Sequence, residues 1–81
     1  MSRIQLHPDD SAIRRRRKEL GLSLRAAAGA AQFDTMHLSR VERGMRSLSV
    51  SSMMRLAKVL EVSPEWLAGE LQEIERKRAG S

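Results

Sequence analysis

Residues 35–43 carry side chains that could contact the edges of DNA bases. Their sequence, TMHLSRVER, has a helical period, because Leu38 and Val41 lie three residues apart on one side. Met36, Arg40 and Arg43 follow another side at spacings of four and three. Hydroxyl, thioether and guanidinium groups suit hydrogen bonds and apolar contacts in a major groove. The residues predicted to contact bases are Thr35, Met36, Ser39 and Arg40.

A second helical pattern lies immediately before this one. Ser23 and Asp34 are residues that cap the beginnings of helices, and only a few residues around Gln32 and Phe33 separate the two patterns. A connection this short does not let two helices lie antiparallel, so they must cross at a steep angle. The pattern therefore predicts a helix-turn-helix arrangement.

Residues spread from position 17 to position 67 match those of a known family without any gap. They are Arg17, Gly21, Leu22, Ser23, Ala28, Phe33, Leu38, Ser39, Val41, Glu42, Arg43, Gly44, Leu56, Ala57, Leu60, Val62, Trp66 and Leu67. From about residue 13 to residue 67 the chain resembles the Cro/CI-type (XRE-like) helix-turn-helix family of phage repressors and small bacterial regulators, in which the segment SRVERG is a specific signature.

The resemblance implies an all-α fold, a compact lambda-repressor-like bundle of about five helices, with a C-terminal helix that can extend beyond it. It implies a regulator that binds double-stranded DNA as a homodimer at a palindromic operator. It also implies a structural ion pair between Arg17 and Glu42. A bacterial, phage or mobile-element origin and a cytoplasmic location follow from the same resemblance.

Several positions depart from the family's usual pattern. Arg16 stands where an apolar residue is common, and Leu24 stands where a glutamine commonly supports the recognition helix and touches phosphate. Gln32 and Glu61 replace frequent glycines. Because glutamine tolerates a positive φ poorly, the turn at Gln32 is expected to take a different form.

Composition supports a polyanionic partner. Fifteen Lys and Arg against ten Asp and Glu leave the 81-residue chain with a net charge of +5, which favours nucleic acid without proving it. The two aromatic residues, Phe33 and Trp66, are too few for the stacking platforms of proteins that bind single strands. Cysteine is absent, so no disulfide or thiolate metal site is expected. No apolar run approaches the length of a membrane span, and the first residues lack the apolar core of a secretory signal, so neither a span nor a signal is expected.

Helix-capping residues, prolines and glycines divide the chain into three segments. Residues 1–8 are expected to form a flexible arm, residues 9–68 the helix-turn-helix domain, and residues 69–81 a helical tail. Helix beginnings are predicted at residues 9–11, at Ser49 and at Ser63-Pro64. Whether the tail continues the fifth helix or breaks near Gly69 is left open by the sequence.

Basic and hydroxyl residues around the helix pair are candidates for phosphate contacts. The run of basic residues from residue 14 to residue 18 has two interpretations that explain it about equally well. It can be a charged face exposed to solvent, or it can contact phosphates where the helix crosses a DNA backbone. The predicted phosphate contacts are Arg14, Arg15, Lys18, Ser23, Arg25, His37, Arg43 and Arg46.

Apolar residues near the C-terminus predict a dimer interface. A stripe longer than the family's core requires is formed by Trp66, Leu67, Leu71 and Ile74. The alternative is that Leu71 and Ile74 fold back onto their own subunit.

Residues for catalysis are missing. His7 and His37 lie thirty residues apart, and no nucleophile, zinc-protease or phosphate-loop pattern occurs. No enzyme, metal, cofactor or small-molecule effector is therefore expected. A second function class stays open: a protein-binding module, such as an antiactivator or antitoxin, that keeps the same fold.

Overall fold

The computed structural model describes residues 11–79, which form five α-helices. They are α1 (Ala12–Glu19), α2 (Leu24–Ala30), α3 (Thr35–Glu42), α4 (Val50–Leu60) and α5 (Pro64–Ala79). The prediction of an all-α bundle of about five helices is confirmed. The predicted arm at residues 1–8, residues 9–10 of the first predicted helix beginning, and residues 80–81 lie outside the described residues.

Short polar side chains begin all five helices. In each case a side-chain oxygen accepts a hydrogen bond from a backbone N–H in the first turn, at 3.0 to 3.2 Å. The capping residues are Ser11, Ser23, Asp34, Ser49 and Ser63. Such caps stabilise a helix by about 1 kcal/mol each. Four of the five helices have eleven residues or fewer, so the caps fix where these short elements begin.

The turn between α2 and α3 does not take the different form expected from Gln32. This residue adopts the left-handed conformation, with φ of 65°. Its N–H donates to the carbonyl of Gly29 at 3.1 Å, and the N–H of Phe33 donates to the carbonyl of Ala28 at 2.7 Å. These two bonds close the end of α2 and offset the cost of about 1 to 2 kcal/mol for a left-handed residue with a Cβ. The expectation was therefore wrong.

The core lies where the five helices meet, and every helix contributes to it. Its residues are Ile13, Ala27, Ala28, Ala31, Leu38, Leu56, Ala57, Leu60 and Leu67, all nearly inaccessible to solvent. The alanines of α2 allow the neighbouring helices to approach closely, because they carry little side-chain volume. This core fixes α3 on its Leu38 side and leaves the opposite side available.

Helix α5 continues through Gly69 without a break, and it packs against its own subunit. Leu67 has no exposed surface, and Leu71 and Ile74 pack against the core cluster. Leu67 therefore cannot line an interface between subunits, which corrects the prediction for that residue. The spacing of apolar residues identifies the apolar side of a helix. It does not show whether the same subunit or a second subunit covers that side.

Arg16 stands at a position where the family commonly has an apolar residue, but it leaves no unpaired charge in the core. Its Nε donates to the carbonyl of Leu60 at 2.9 Å, and its Nη1 lies 3.2 Å from a carboxylate oxygen of Glu19. The bond to Leu60 ties α1 to the end of α4. Within residues 11–79, none of the helices combines the length and the apolar character needed to cross a membrane.

Candidate nucleic-acid interface

The side of α3 that faces away from the core carries the residues predicted to contact bases. Leu38 and Val41 are buried on the inner side, whereas Met36 keeps 55% of its surface exposed. Thr35, Ser39 and Arg40 are half-buried. The structure therefore places Thr35, Met36, Ser39 and Arg40 on a helix that has one side available, as contact with a groove requires.

Glu42, which is the only carboxylate within α3, is turned away from this surface. Its two carboxylate oxygens accept hydrogen bonds from Nε and Nη2 of Arg17, at 2.7 and 3.1 Å. Both side chains are more than 90% buried. Arg17 also donates from Nη1 to the carbonyl of Leu22, at 3.1 Å. The pair joins α1 to α3, and it removes the negative charge of α3 from the surface that a polyanion would approach.

An open cleft of about 210 Å³ lies between α1, α2 and α3. It brings Arg14 of α1 together with Ser39 and Arg43, which lie far from Arg14 in the sequence, and all three are predicted to bind DNA. The cleft is lined by Arg14, Arg17, Leu24, Ser39, Glu42 and Arg43. Three arginines and one glutamate line the cleft, so the formal charges of its lining residues sum to a positive value. Leu24 contributes an apolar wall where the resembled family commonly has an amide.

The other basic residues predicted to bind phosphate lie outside the cleft. Arg15 and Lys18 on α1, Arg25 on α2 and Arg46 in the loop after α3 all have exposed side chains. Ser23 caps α2 and accepts a bond from the N–H of Ala26, at 3.0 Å. A hydroxyl that accepts one bond can still donate its hydrogen, so capping leaves Ser23 able to contact a phosphate oxygen.

His37 packs against the turn instead of standing alone. Its ring stacks on Phe33, with ring centroids 5.5 Å apart and an angle of 17° between the planes. The guanidinium of Arg55, from α4, lies 5.8 Å from the centroid of Phe33. Phe33 of the turn thus contacts both His37 of α3 and Arg55 of α4.

A family model described as helix-turn-helix matches residues 13–67, which is more than half of the chain. The chain belongs to the Cro/CI-type helix-turn-helix family. Helices α2 and α3 form the helix-turn-helix pair, and the domain is that of a DNA-binding regulator. No curated protein and no solved structure matches the chain significantly.

Sequence reasoning about this helix-turn-helix domain missed Arg55. The arginine donates from Nε to the carbonyl of Ala31, at 3.0 Å, across 24 residues of sequence. The one local signal was the spacing of Ser51 and Arg55, which share a side of α4. Nothing in the sequence indicated that the carbonyl at the end of α2 would be the acceptor, because that contact depends on how α4 crosses α2.

Proposed function

We propose that this helix-turn-helix protein is a homodimeric, sequence-specific repressor or controller that binds double-stranded DNA at a palindromic operator. The observation that carries the proposal is the outward side of α3. Its thioether is exposed and the residues that carry its hydroxyl and guanidinium groups are half-buried, while the carboxylate of Glu42 is buried against Arg17. A groove lined by donors, acceptors and methyl groups, between two rows of phosphates, is complementary to such a surface.

Phosphate contacts on both sides of α3 would fix its register in the groove. The cleft with Arg14, Ser39 and Arg43 lies on the α1 and α2 side, and Arg46 lies in the loop that follows α3. Arg15, Lys18, Ser23, Arg25 and His37 complete the proposed set. Each true phosphate contact raises affinity for any sequence and adds to the dependence of binding on salt.

A two-fold axis would place two recognition helices on one face of the duplex. Half-sites one turn apart are separated by about 34 Å, so two domains must be held at a fixed spacing. Trp66, which is 36% exposed at the beginning of α5, is the apolar residue proposed to lie at the interface. The exposed edges of Leu71 and Ile74, whose remaining surface packs on the subunit's own core, would extend the interface.

Selection from a pool of random DNA duplexes tests this function directly. We expect an enriched inverted repeat whose half-sites are centred about 10 base pairs apart, one helical turn. Occupancy of such a site next to a reporter promoter should lower transcription. Recovery of no preferred sequence would contradict the proposal and would favour the protein-binding alternative for the same fold.

Arg40 and Arg46 should have separable roles. Arg40→Ala is expected to weaken binding to the selected operator by about 1 to 3 kcal/mol and to relax the preference at one base pair. Arg46→Ala is the control, because it removes the same charge. It should weaken binding to all sequences alike and reduce the magnitude of the salt dependence of DNA affinity, as a slope, by about one. Titrations with operator and with scrambled duplex at several salt concentrations measure both. Undiminished selectivity of Arg40→Ala would remove Arg40 from the base contacts.

Trp66→Glu is expected to give a folded monomer. A charge at the centre of an apolar interface opposes association. Because only 36% of Trp66 is exposed in its own subunit, part of its packing is lost as well, and thermal melting checks that the variant stays folded. Val50→Glu on α4 is the control, because Val50 is also an exposed apolar residue, with 73% of its surface accessible. Sedimentation without DNA should find the parent and Val50→Glu as dimers. A dimeric Trp66→Glu protein would move the interface to another surface.

A further inference from the structure

Arg55 connects the core to the turn of the helix-turn-helix. The residue lies on α4, which contributes none of the proposed DNA contacts, yet its guanidinium reaches the end of α2. Its Nε donates to the carbonyl of Ala31, at 3.0 Å, and its Cζ lies 5.8 Å from the centroid of the Phe33 ring. Ala31 and Phe33 flank Gln32, the residue in the left-handed conformation. The side chain therefore holds both sides of the turn.

The other end of the guanidinium is fixed as well. Nη1 of Arg55 donates to Oγ of Ser51 at 3.0 Å, and Nη2 donates to Oγ of Ser52 at 3.2 Å. All three guanidinium nitrogens thus have an acceptor. A planar guanidinium held in three directions has little freedom to rotate. Arg55 can therefore transmit the position of α4 to the turn more rigidly than a flexible side chain could.

The turn between α2 and α3 also positions the beginning of α3. Phe33 stacks on His37, which lies next to Met36 in the first turns of α3, with centroids 5.5 Å apart. Contacts run without a gap from α4 through Arg55 and Phe33 to His37. Contacts to base edges depend on placement within about 0.5 Å. Long basic side chains at the phosphates tolerate a larger displacement of the helix.

We propose that Arg55 is a positioning residue for base reading: it sets the orientation of α3 without touching DNA. The proposal rests on the proposed sequence-specific binding. Loss of the guanidinium lowers discrimination between operator and other sequences, while nonspecific binding falls only by the small amount due to one lost charge.

Arg16 offers a matched control. Its Nε also donates to a backbone carbonyl, that of Leu60 at 2.9 Å, across 44 residues of sequence. Like Arg55, Arg16 is half-buried and ties α4 to another helix, but its acceptor lies at the end of α4 instead of the recognition turn. Arg55→Met and Arg16→Met remove the same charge and the same kind of bond.

The ratio of operator affinity to scrambled-duplex affinity is the quantity to measure, on the full chain of each variant. Arg55→Met should lower this ratio by about two- to thirty-fold, the range of coupling through packed side-chain networks. Arg16→Met should leave it unchanged. Arg55→Lys keeps the charge but cannot reach all three acceptors, so it should also lose discrimination. An unchanged ratio in both Arg55 variants, or full recovery with lysine, would overturn the positioning role.

A second readout separates this proposal from the proposed function. If the parent protein selects no DNA sequence, the function fails, but the effect of Arg55 on α3 can still be measured by amide hydrogen exchange without DNA. The N–H groups of Gln32, Phe33 and Leu38, which donate to the carbonyls of Gly29, Ala28 and Asp34, should exchange faster in Arg55→Lys, and in Arg55→Met where it folds, than in Arg16→Met. Equal exchange at these amides in all three variants would overturn the positioning role independently.

Discussion

Glu42→Ala is expected to lower the free energy of unfolding by about 3 to 5 kcal/mol, because it leaves a buried guanidinium without its counter-charge. Arg17 donates two hydrogen bonds to this carboxylate, at 2.7 and 3.1 Å, and both side chains are almost fully buried. In a chain this small, such a loss is a large fraction of the total stability of about 5 to 15 kcal/mol.

Urea melts followed by circular dichroism measure this effect. The double variant Arg17→Met with Glu42→Leu is the control, because replacing both partners with apolar residues removes the uncompensated charge and is often close to neutral. The carbonyl of Leu22 would still lose the bond from Nη1 of Arg17, so a residual cost of about 1 kcal/mol is expected. If Glu42→Ala unfolds at the same urea concentration as the parent, the pair contributes nothing to stability.

Gly44→Ala is expected to destabilise the fold by about 2 to 5 kcal/mol, the sum of a left-handed backbone and an overpacked contact. Gly44 ends the α3 segment with φ of +77°, and a Cβ there would lie 2.7 Å from Cγ2 and 3.3 Å from the backbone oxygen of Ile74. The added methyl group must push α5 away from the end of the recognition helix. Thermal unfolding measures the change.

Gly21→Ala separates the two contributions. Gly21 has nearly the same backbone conformation, with φ of +72°, but a Cβ there would meet nothing within 4 Å. This variant should therefore show only the backbone cost, about 1 to 2 kcal/mol. Equal losses of stability in the two variants would mean that α5 does not pack closely on Gly44.

Local signals in the sequence were sufficient for the helices. Capping residues at Ser23, Asp34 and Ser49 and the spacing of apolar residues predicted where α2, α3 and α4 begin, and the structure places them there. These features depend on contacts within one turn of helix, so they can be recognised without a fold. The fold class and the family followed from the same residues together with the resemblance.

The sequence by itself thus determined the helix-turn-helix, the outward residues of α3 and the positive charge around them. Only the tertiary structure decided that Leu67 is core, that Gln32 can close the turn, and that Arg55 reaches it. The physical reason is common to all three. A side chain's type and period determine what kind of partner it needs, but the crossing of distant helices determines which partner it meets. For Arg55 that partner is a carbonyl 24 residues away, which no local pattern could specify.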